Sequence, residues 1–298
     1  MKVRLGMSPI SWTNDDLPEL GGDTSLETCL RETREAGFTG TELGGKFPRD
    51  KEALKKILDQ FDLSLVSGWY SGILLNNSIN DEKRRIQGQL SLFKEVGAEV
   101  IVYGETFKTV QNKKSKTLNS RPRLEDFDYK EYGKRLSELA DYCADSGVEL
   151  TLHHHMGTAV QDEKEIDIIM HETRNSVGLL LDTGHLVFAG GDINRVINNY
   201  GSRINHVHTK DIRGPILSII DKDKESFLDS VLKGVFTVPG DGLIDYEGVI
   251  RKLSAVRYEG WIVIEAEQDP IKANPLMYAK KGYAELEHAL QNVGYEIY

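Results

Sequence analysis

Short apolar, β-favouring runs alternate along the whole chain with stripes of helical period. Arg4 to Ile10 reads as a first strand, and Thr39 to Leu43, Leu63 to Gly68 and Glu99 to Tyr103 as the next three. Between them lie helical stripes: Leu26, Cys29, Leu30 and Thr33; then Leu54, Ile57, Leu58 and Phe61; then Ile86, Leu90, Phe93 and Val96. Thr24 and Glu27 have capping-box spacing, Asp50 suits an N-cap, and the third helix opens at about Asp81. Gly37 and Gly97 stop the first and third. A fourth helix, with Tyr132, Leu136, Leu139, Ala140 and Cys143 on one face, stops at Gly147 and feeds a strand beginning at Leu150. Val177 to Leu181, Ile204 to His208 and Trp261 to Ile264 read as strands six to eight. Their helices are Asp162 to Thr173, Asp192 to Tyr200, Asp245 to Leu253 and Pro275 to Leu290.

Repeated strand-then-helix units with apolar strands predict an α/β protein: a single-domain parallel (β/α)8 barrel over residues 1–298. No linker-like composition divides the chain. A doubly wound open sheet is the alternative, but the even spacing and the lack of a dinucleotide fingerprint weigh against it. Two long insertions follow strands four and seven, at about Lys108 to Arg123 and Gly214 to Val238. A polar loop as long as the first is expected to be functional or mobile.

Composition narrows the partners. With 39% hydrophobic and 28% charged residues and a mean hydropathy of -0.39, the chain reads as a soluble protein with a large core and no membrane partner. Its apolar start is too short for a signal peptide. Only Cys29 and Cys143 are present, on apolar helix positions, as expected of buried thiols in a reducing, cytoplasmic compartment. A net charge of -10 repels phosphate backbones and argues against nucleic acid.

The chemistry starts from Leu150-Thr151-Leu152-His153-His154-His155. On a strand, His153 and His155 share a face and His154 takes the other. A barrel gathers its strand ends on one rim, where the active site lies. Glu42, Trp69, Glu105, His153, His155, Asp182, His185, His208, Lys210, Glu265 and Glu267 all sit at such ends. Mixed nitrogen and carboxylate donors suit Mn²⁺, Co²⁺, Fe²⁺ or Zn²⁺ better than Ca²⁺.

These segments also carry a resemblance. His153-x-His155, Asp182-Thr-Gly-His185, His206-Val-His208 and Gly260-Trp-Ile-Val-Ile-Glu265 resemble the xylose-isomerase-like barrel superfamily. That group commonly holds a divalent metal through Glu, Asp, His and Glu from four strand ends. The resemblance implies Asp182, His208 and Glu265 as ligands, with His153 where the first Glu would stand. The loss of that Glu weighs against an epimerase, in which two Glu residues move the proton. Over nearly the whole chain the closer resemblance is to the myo-inosose-2 dehydratases (2-keto-myo-inositol dehydratases) of inositol catabolism. It rests on Gly6-Met7-Ser8-Pro9-Ile10-Ser11-Trp12, Ser67-Gly68-Trp69-Tyr70-Ser71-Gly72, His153-His154-His155-Met156-Gly157-Thr158 and Val238-Pro239-Gly240-Asp241-Gly242, among others. It implies loss of water from a polyol ketone to give a trihydroxycyclohexane-1,2-dione. Mn²⁺ or Co²⁺, and glutathione, come from the resemblance alone.

Dehydration beside a ketone begins with loss of the α-proton and ends with loss of the β-hydroxyl, so it needs oxyanion stabilisation, a base and an acid. His155, Glu265 and Lys210 are the expected catalytic residues. Glu42, Glu105, His185 and Arg213 are expected to hydrogen-bond a polyol, with Trp12 or Trp69 as its flat apolar wall. A metal-dependent keto-sugar isomerase or epimerase on the same barrel is the runner-up, because it begins with the same enolisation. The sequence leaves the metal, the acid-versus-base assignment and a homo-oligomer open.

Overall fold

The structure is a computed structural model that describes residues 1–298. Eight parallel strands form the barrel: β1 (Lys2–Met7), β2 (Gly40–Leu43), β3 (Ser64–Gly72), β4 (Val100–Glu105), β5 (Glu149–His153), β6 (Val177–Asp182), β7 (Ile204–His208) and β8 (Gly260–Ile264). Each pairs with the next in sequence, and β8 returns to β1 in register from Val3 opposite Gly260 to Met7 opposite Ile264. The predicted single-domain (β/α)8 barrel is therefore what the chain forms. No helix is long and apolar enough to cross a membrane.

The strand pleat sorts the core into two layers. Leu5 and Met7, Leu150 and Leu152, Leu179 and Leu181, and Ile262 and Ile264 point outward and pack against the helix stripes. Val66, Trp261 and Val263 point inward and fill the barrel centre. Space there is tight: a methyl at Gly40 would lie 2.4 Å from Val66 and 2.6 Å from Trp261. The lower barrel is thus apolar, and the polar side chains collect above it.

Local chemistry moves three predicted boundaries. The first strand ends at Met7 instead of Ile10, because Pro9 has no N–H to give a ladder and opens a 3-10 turn, Pro9–Ser11. Ser25, not Thr24, caps the first helix, accepting from the Thr28 N–H. The third helix starts at Ile79, where Ser78 accepts from the Asp81 N–H.

Both insertions are anchored. The segment after β4 buries Val110, Leu118 and Leu124. Its Arg121 is also buried and pairs with Glu165 at 2.9 Å and Asp162 at 3.1 Å. That ion pair anchors the segment expected to be functional or mobile, and its Thr109, Gln111, Asn112 and Lys113 line the cavity at the barrel rim. The segment after β7 pairs Asp211–Ile212 antiparallel with Phe236–Thr237. Its Phe227 and Phe236 join Met156, Phe188 and Ile212 in a second apolar cluster beside the histidines.

Candidate metal centre and active site

Inward parity on β5 to β8 selects His153, Asp182, His208 and Glu265, and their donor atoms all lie within 4.8 Å of one another. His153 Nε2 is 3.7 Å from Asp182 Oδ2, and His208 Nδ1 is 3.6 Å from Asp182 Oδ2 and 3.3 Å from Glu265 Oε2. Asp182 spends its other oxygen as a helix cap, Oδ1 accepting from the His185 N–H at 2.7 Å.

These residues fit a divalent ion. His153 Nε2, Asp182 Oδ2 and His208 Nδ1 are buried without a hydrogen-bond partner, and Glu265 Oε2, buried beside them, has only the Lys210 ammonium at 2.8 Å. Buried polar atoms are almost always satisfied, so three orphans and a carboxylate facing one point suit a bound cation. Metal–ligand bonds of about 2.0–2.2 Å put neighbouring ligands roughly 3.0–3.5 Å apart, close to these spacings. The tautomers agree. His153 Nδ1 lies 2.9 Å from the His154 carbonyl, which can only accept, so Nδ1 carries the hydrogen and Nε2 is the lone pair.

Charge points the same way. Asp182, Glu265 and Glu267 surround one fixed cation, Lys210, Glu42 adds a further carboxylate behind His208, and burying that excess of acidic groups is costly. Burial works to lower the pKa of His208, yet Glu42 and Glu265 overcome it and hold the imidazole well above its ordinary range. Burial would likewise raise Glu265, but Lys210 and His208 hold it well below the usual carboxylate range. A proton on His208 or a divalent ion can meet the same demand, and an ion displaces the proton.

A second group stands beside the first. Lys210 Nζ lies 2.8 Å from Glu265 Oε2, and donates to Glu267 Oε1 at 2.7 Å and to His185 Nε2 at 2.8 Å. Gly184 makes its room, since a methyl there would meet the Lys210 side chain at 2.6 Å. His155 Nε2 is 3.8 Å from Glu267 Oε1, and His155 Nδ1 is held 2.8 Å from the Met156 carbonyl. That carbonyl fixes the hydrogen on Nδ1 and leaves Nε2 as a base. Burial, then Lys210, pushes His155 down to about 3, so its imidazole is neutral at ordinary pH. Burial raises Glu267 to about 7 against the pull of Lys210.

Both groups border open space. A cavity of about 500 Å³ is lined by His155, Glu265, Glu267, Trp69, Asp16 and Gln111, with further polar side chains on its rim. A recess of about 90 Å³ continues to Glu42 and His208. The Trp69 indole stands edge-on to His153 and His155, with centroids 5.6 and 5.5 Å away, and donates to Ser71 Oγ at 2.8 Å. Gly104 on β4 lets it lie there, because a methyl would come within 2.0 Å of the ring. Gly104→Ala is expected to push the indole off the histidines, to cost roughly 1–3 kcal/mol by overpacking, and to raise KM. Chemical denaturation and steady-state kinetics check both.

Of the residues expected from sequence, the structure gathers His155, His208, Glu265, Trp69 and Glu42 at the cavity or its recess, and sets His153 and Asp182 against His208 and Glu265 in the donor cluster. Lys210 and His185 are fully buried behind Glu265 and Glu267 and do not line the cavity. Glu105 faces the helix layer, where its carboxylate accepts from the Tyr103 hydroxyl at 2.8 Å and the Phe107 N–H at 3.0 Å; burial raises it to about 8. Arg213 stands apart, donating to Asp241 at 2.8 Å and to the Gly234 and Phe236 carbonyls. Trp12 is buried, with its Nε1–H on Glu32 at 2.7 Å. Ser67 and His206, which fall in the segments that carry the resemblance but had no expected role, join the site together with Asp16 and Gln111.

A xylose isomerase-like TIM barrel family model matches residues 30–289. The rhizopine catabolism protein MocC of Rhizobium meliloti is 44% identical, over 100% of this chain and 91% of that protein. An inosose dehydratase of Geobacillus thermodenitrificans is also 44% identical, over 94% of this chain and 95% of that protein. Among solved structures, the IOLI protein, which carries a bound zinc atom, superposes with a TM-score of 0.67 at 16% identity over 98% of both chains.

Proposed function

Since the chain belongs to the xylose isomerase-like TIM barrel family and, within it, to the inosose dehydratases, we infer that it is a hydro-lyase of inositol catabolism. It removes water from 2-keto-myo-inositol to give a trihydroxycyclohexane-1,2-dione. The observation that carries the mechanism is the convergence of the His153, Asp182, His208 and Glu265 donors beside a polar cavity.

We assign a divalent ion to those donors, since two imidazoles and two carboxylates suit Mn²⁺, Co²⁺, Fe²⁺ or Zn²⁺, and the family resemblance favours Mn²⁺ or Co²⁺ among them. The zinc of the IOLI protein lends support to a divalent ion on this fold. His153, Asp182, His208 and Glu265 would hold the ion, whose Lewis acidity would ease negative charge developing on the ketone oxygen. His155 takes the α-proton through Nε2, the lone pair it turns to the cavity. Glu267, positioned by Lys210 and raised by burial to about 7, starts protonated and gives its proton to the departing hydroxyl, which leaves as water; the proton taken up by His155, 3.8 Å away, then restores Glu267. Trp69 supplies the flat wall against the ring, while Asp16 and Gln111 receive its remaining hydroxyls.

The test is direct. Metal-loaded protein incubated with 2-keto-myo-inositol should develop the ultraviolet absorbance of a conjugated product. No absorbance with any divalent ion would overturn the reading.

A further inference from the structure

We propose that Glu42 is a positioning residue for the metal ligand His208, acting through a buried network that ties β2, β3 and β7 together. The proposal takes the metal-dependent reading as its premise.

The geometry converges on one oxygen. Glu42 Oε1 accepts from Ser67 Oγ at 2.6 Å and lies 2.9 Å from His208 Nε2 and 3.1 Å from His206 Nε2. A carboxylate oxygen only accepts, so Nε2 of His208 carries the hydrogen. That leaves Nδ1 as the free lone pair, and Nδ1 is the atom turned to Asp182 and Glu265 without a partner of its own. Without Glu42 the imidazole would be free to turn or to adopt the other tautomer, and either change removes a donor from the cluster. A carboxylate behind a metal-binding histidine also makes the ring a stronger donor.

The backbone is shaped to permit this contact. Between Thr41 opposite Leu65 and Leu43 opposite Gly68, β3 holds one more residue than β2. Such a bulge re-aims a side chain. Here Val66 packs into the barrel centre with Trp261 and Val263, while its neighbour Ser67 reaches Glu42. His206, two residues before His208 on β7, shares its inward face and braces the same oxygen from across the barrel. All four side chains are buried. The arrangement gives Glu42 a role beneath the metal ligand, in place of the substrate hydrogen bond expected from its strand-end position.

Glu42→Gln separates the two roles, because an amide keeps the volume but loses the charge and one acceptor. Titration of Mn²⁺ into the substrate-free protein should show affinity weakened by roughly ten- to a hundredfold, the usual effect of losing such a partner. At saturating Mn²⁺, KM should stay within about threefold of the parent. Unchanged Mn²⁺ affinity with KM raised tenfold would overturn the proposal and return Glu42 to the substrate. Should that variant fail to fold, Ser67→Ala removes one bond to Glu42 and touches neither ion nor substrate. It should weaken Mn²⁺ severalfold, and an unchanged affinity would refute the network. Because Mn²⁺ is titrated without substrate, these outcomes are separate from any failure of the parent protein to dehydrate 2-keto-myo-inositol.

Discussion

Asp182→Ala is expected to lose its divalent ion and its turnover together. The side chain does two jobs at the end of β6. Oδ1 accepts from the His185 N–H at 2.7 Å, and Oδ2 is one of the three donors left without a hydrogen-bond partner. Losing the cap costs about 1 kcal/mol, too little to unfold a domain of this size. Losing the anionic donor leaves His153, His208 and Glu265 to hold the ion with one negative charge fewer. Asp182→Asn keeps an oxygen for the cap and so separates the roles: folding stability recovers, while metal content stays low. Metal analysis after gel filtration and an initial-rate assay read both variants. Full activity in rigorously metal-free protein would remove the metal from the account altogether.

The second large effect is expected at His155. His155→Gln should keep its ion and its substrate affinity but lose turnover by roughly a hundredfold or more, the typical worth of one proton-transfer group. His155 lies outside the His153, Asp182, His208 and Glu265 cluster and stands 3.8 Å from Glu267 at the cavity wall. Its Nδ1 bond to the Met156 carbonyl fixes the ring so that Nε2 meets the substrate. Glutamine can reproduce a hydrogen bond there but cannot take a proton. Low activity with a full metal complement supports the role. Low metal content would move His155 into the coordination sphere, and normal activity would reject both.

Most of the barrel was legible because its rule is periodic. Apolar runs such as Val177 to Leu181, each followed by a stripe of helical spacing, announce a strand and its covering helix. The metal-side residues were legible for the same reason, as polar groups that interrupt those runs at the rim. What position at a strand end does not state is direction. Glu105 has the parity of Ile101 and Tyr103, which pack against the helices, while Val102 lines the recess with Gly104 on its own face. Counting that parity would have withdrawn Glu105 and left Gly104, the position that clears space for Trp69.

Other parts depend on contacts across the barrel. Arg213 looked like a polyol ligand because it follows β7 closely, but the turn at Asp211–Ile212 carries it to Asp241. Lys210 was read as a catalytic group, and only the fold shows Glu265 and Glu267 standing between it and the cavity. Ser67 is invisible in a strand of ordinary composition, because its orientation comes from a bulge. The length and polarity of the loop from Lys108 to Arg123 suggest a functional or mobile segment, but not its anchor, a buried arginine whose partners, Asp162 and Glu165, lie about forty residues further on.

The measurement that bears most directly on the central claim is the mass of the product formed from 2-keto-myo-inositol by the Mn²⁺-loaded protein. The account predicts a product lighter than the substrate by one water, appearing at the rate of the ultraviolet signal. A product of unchanged mass would mean that enolisation ends in isomerisation or epimerisation, and would contradict it.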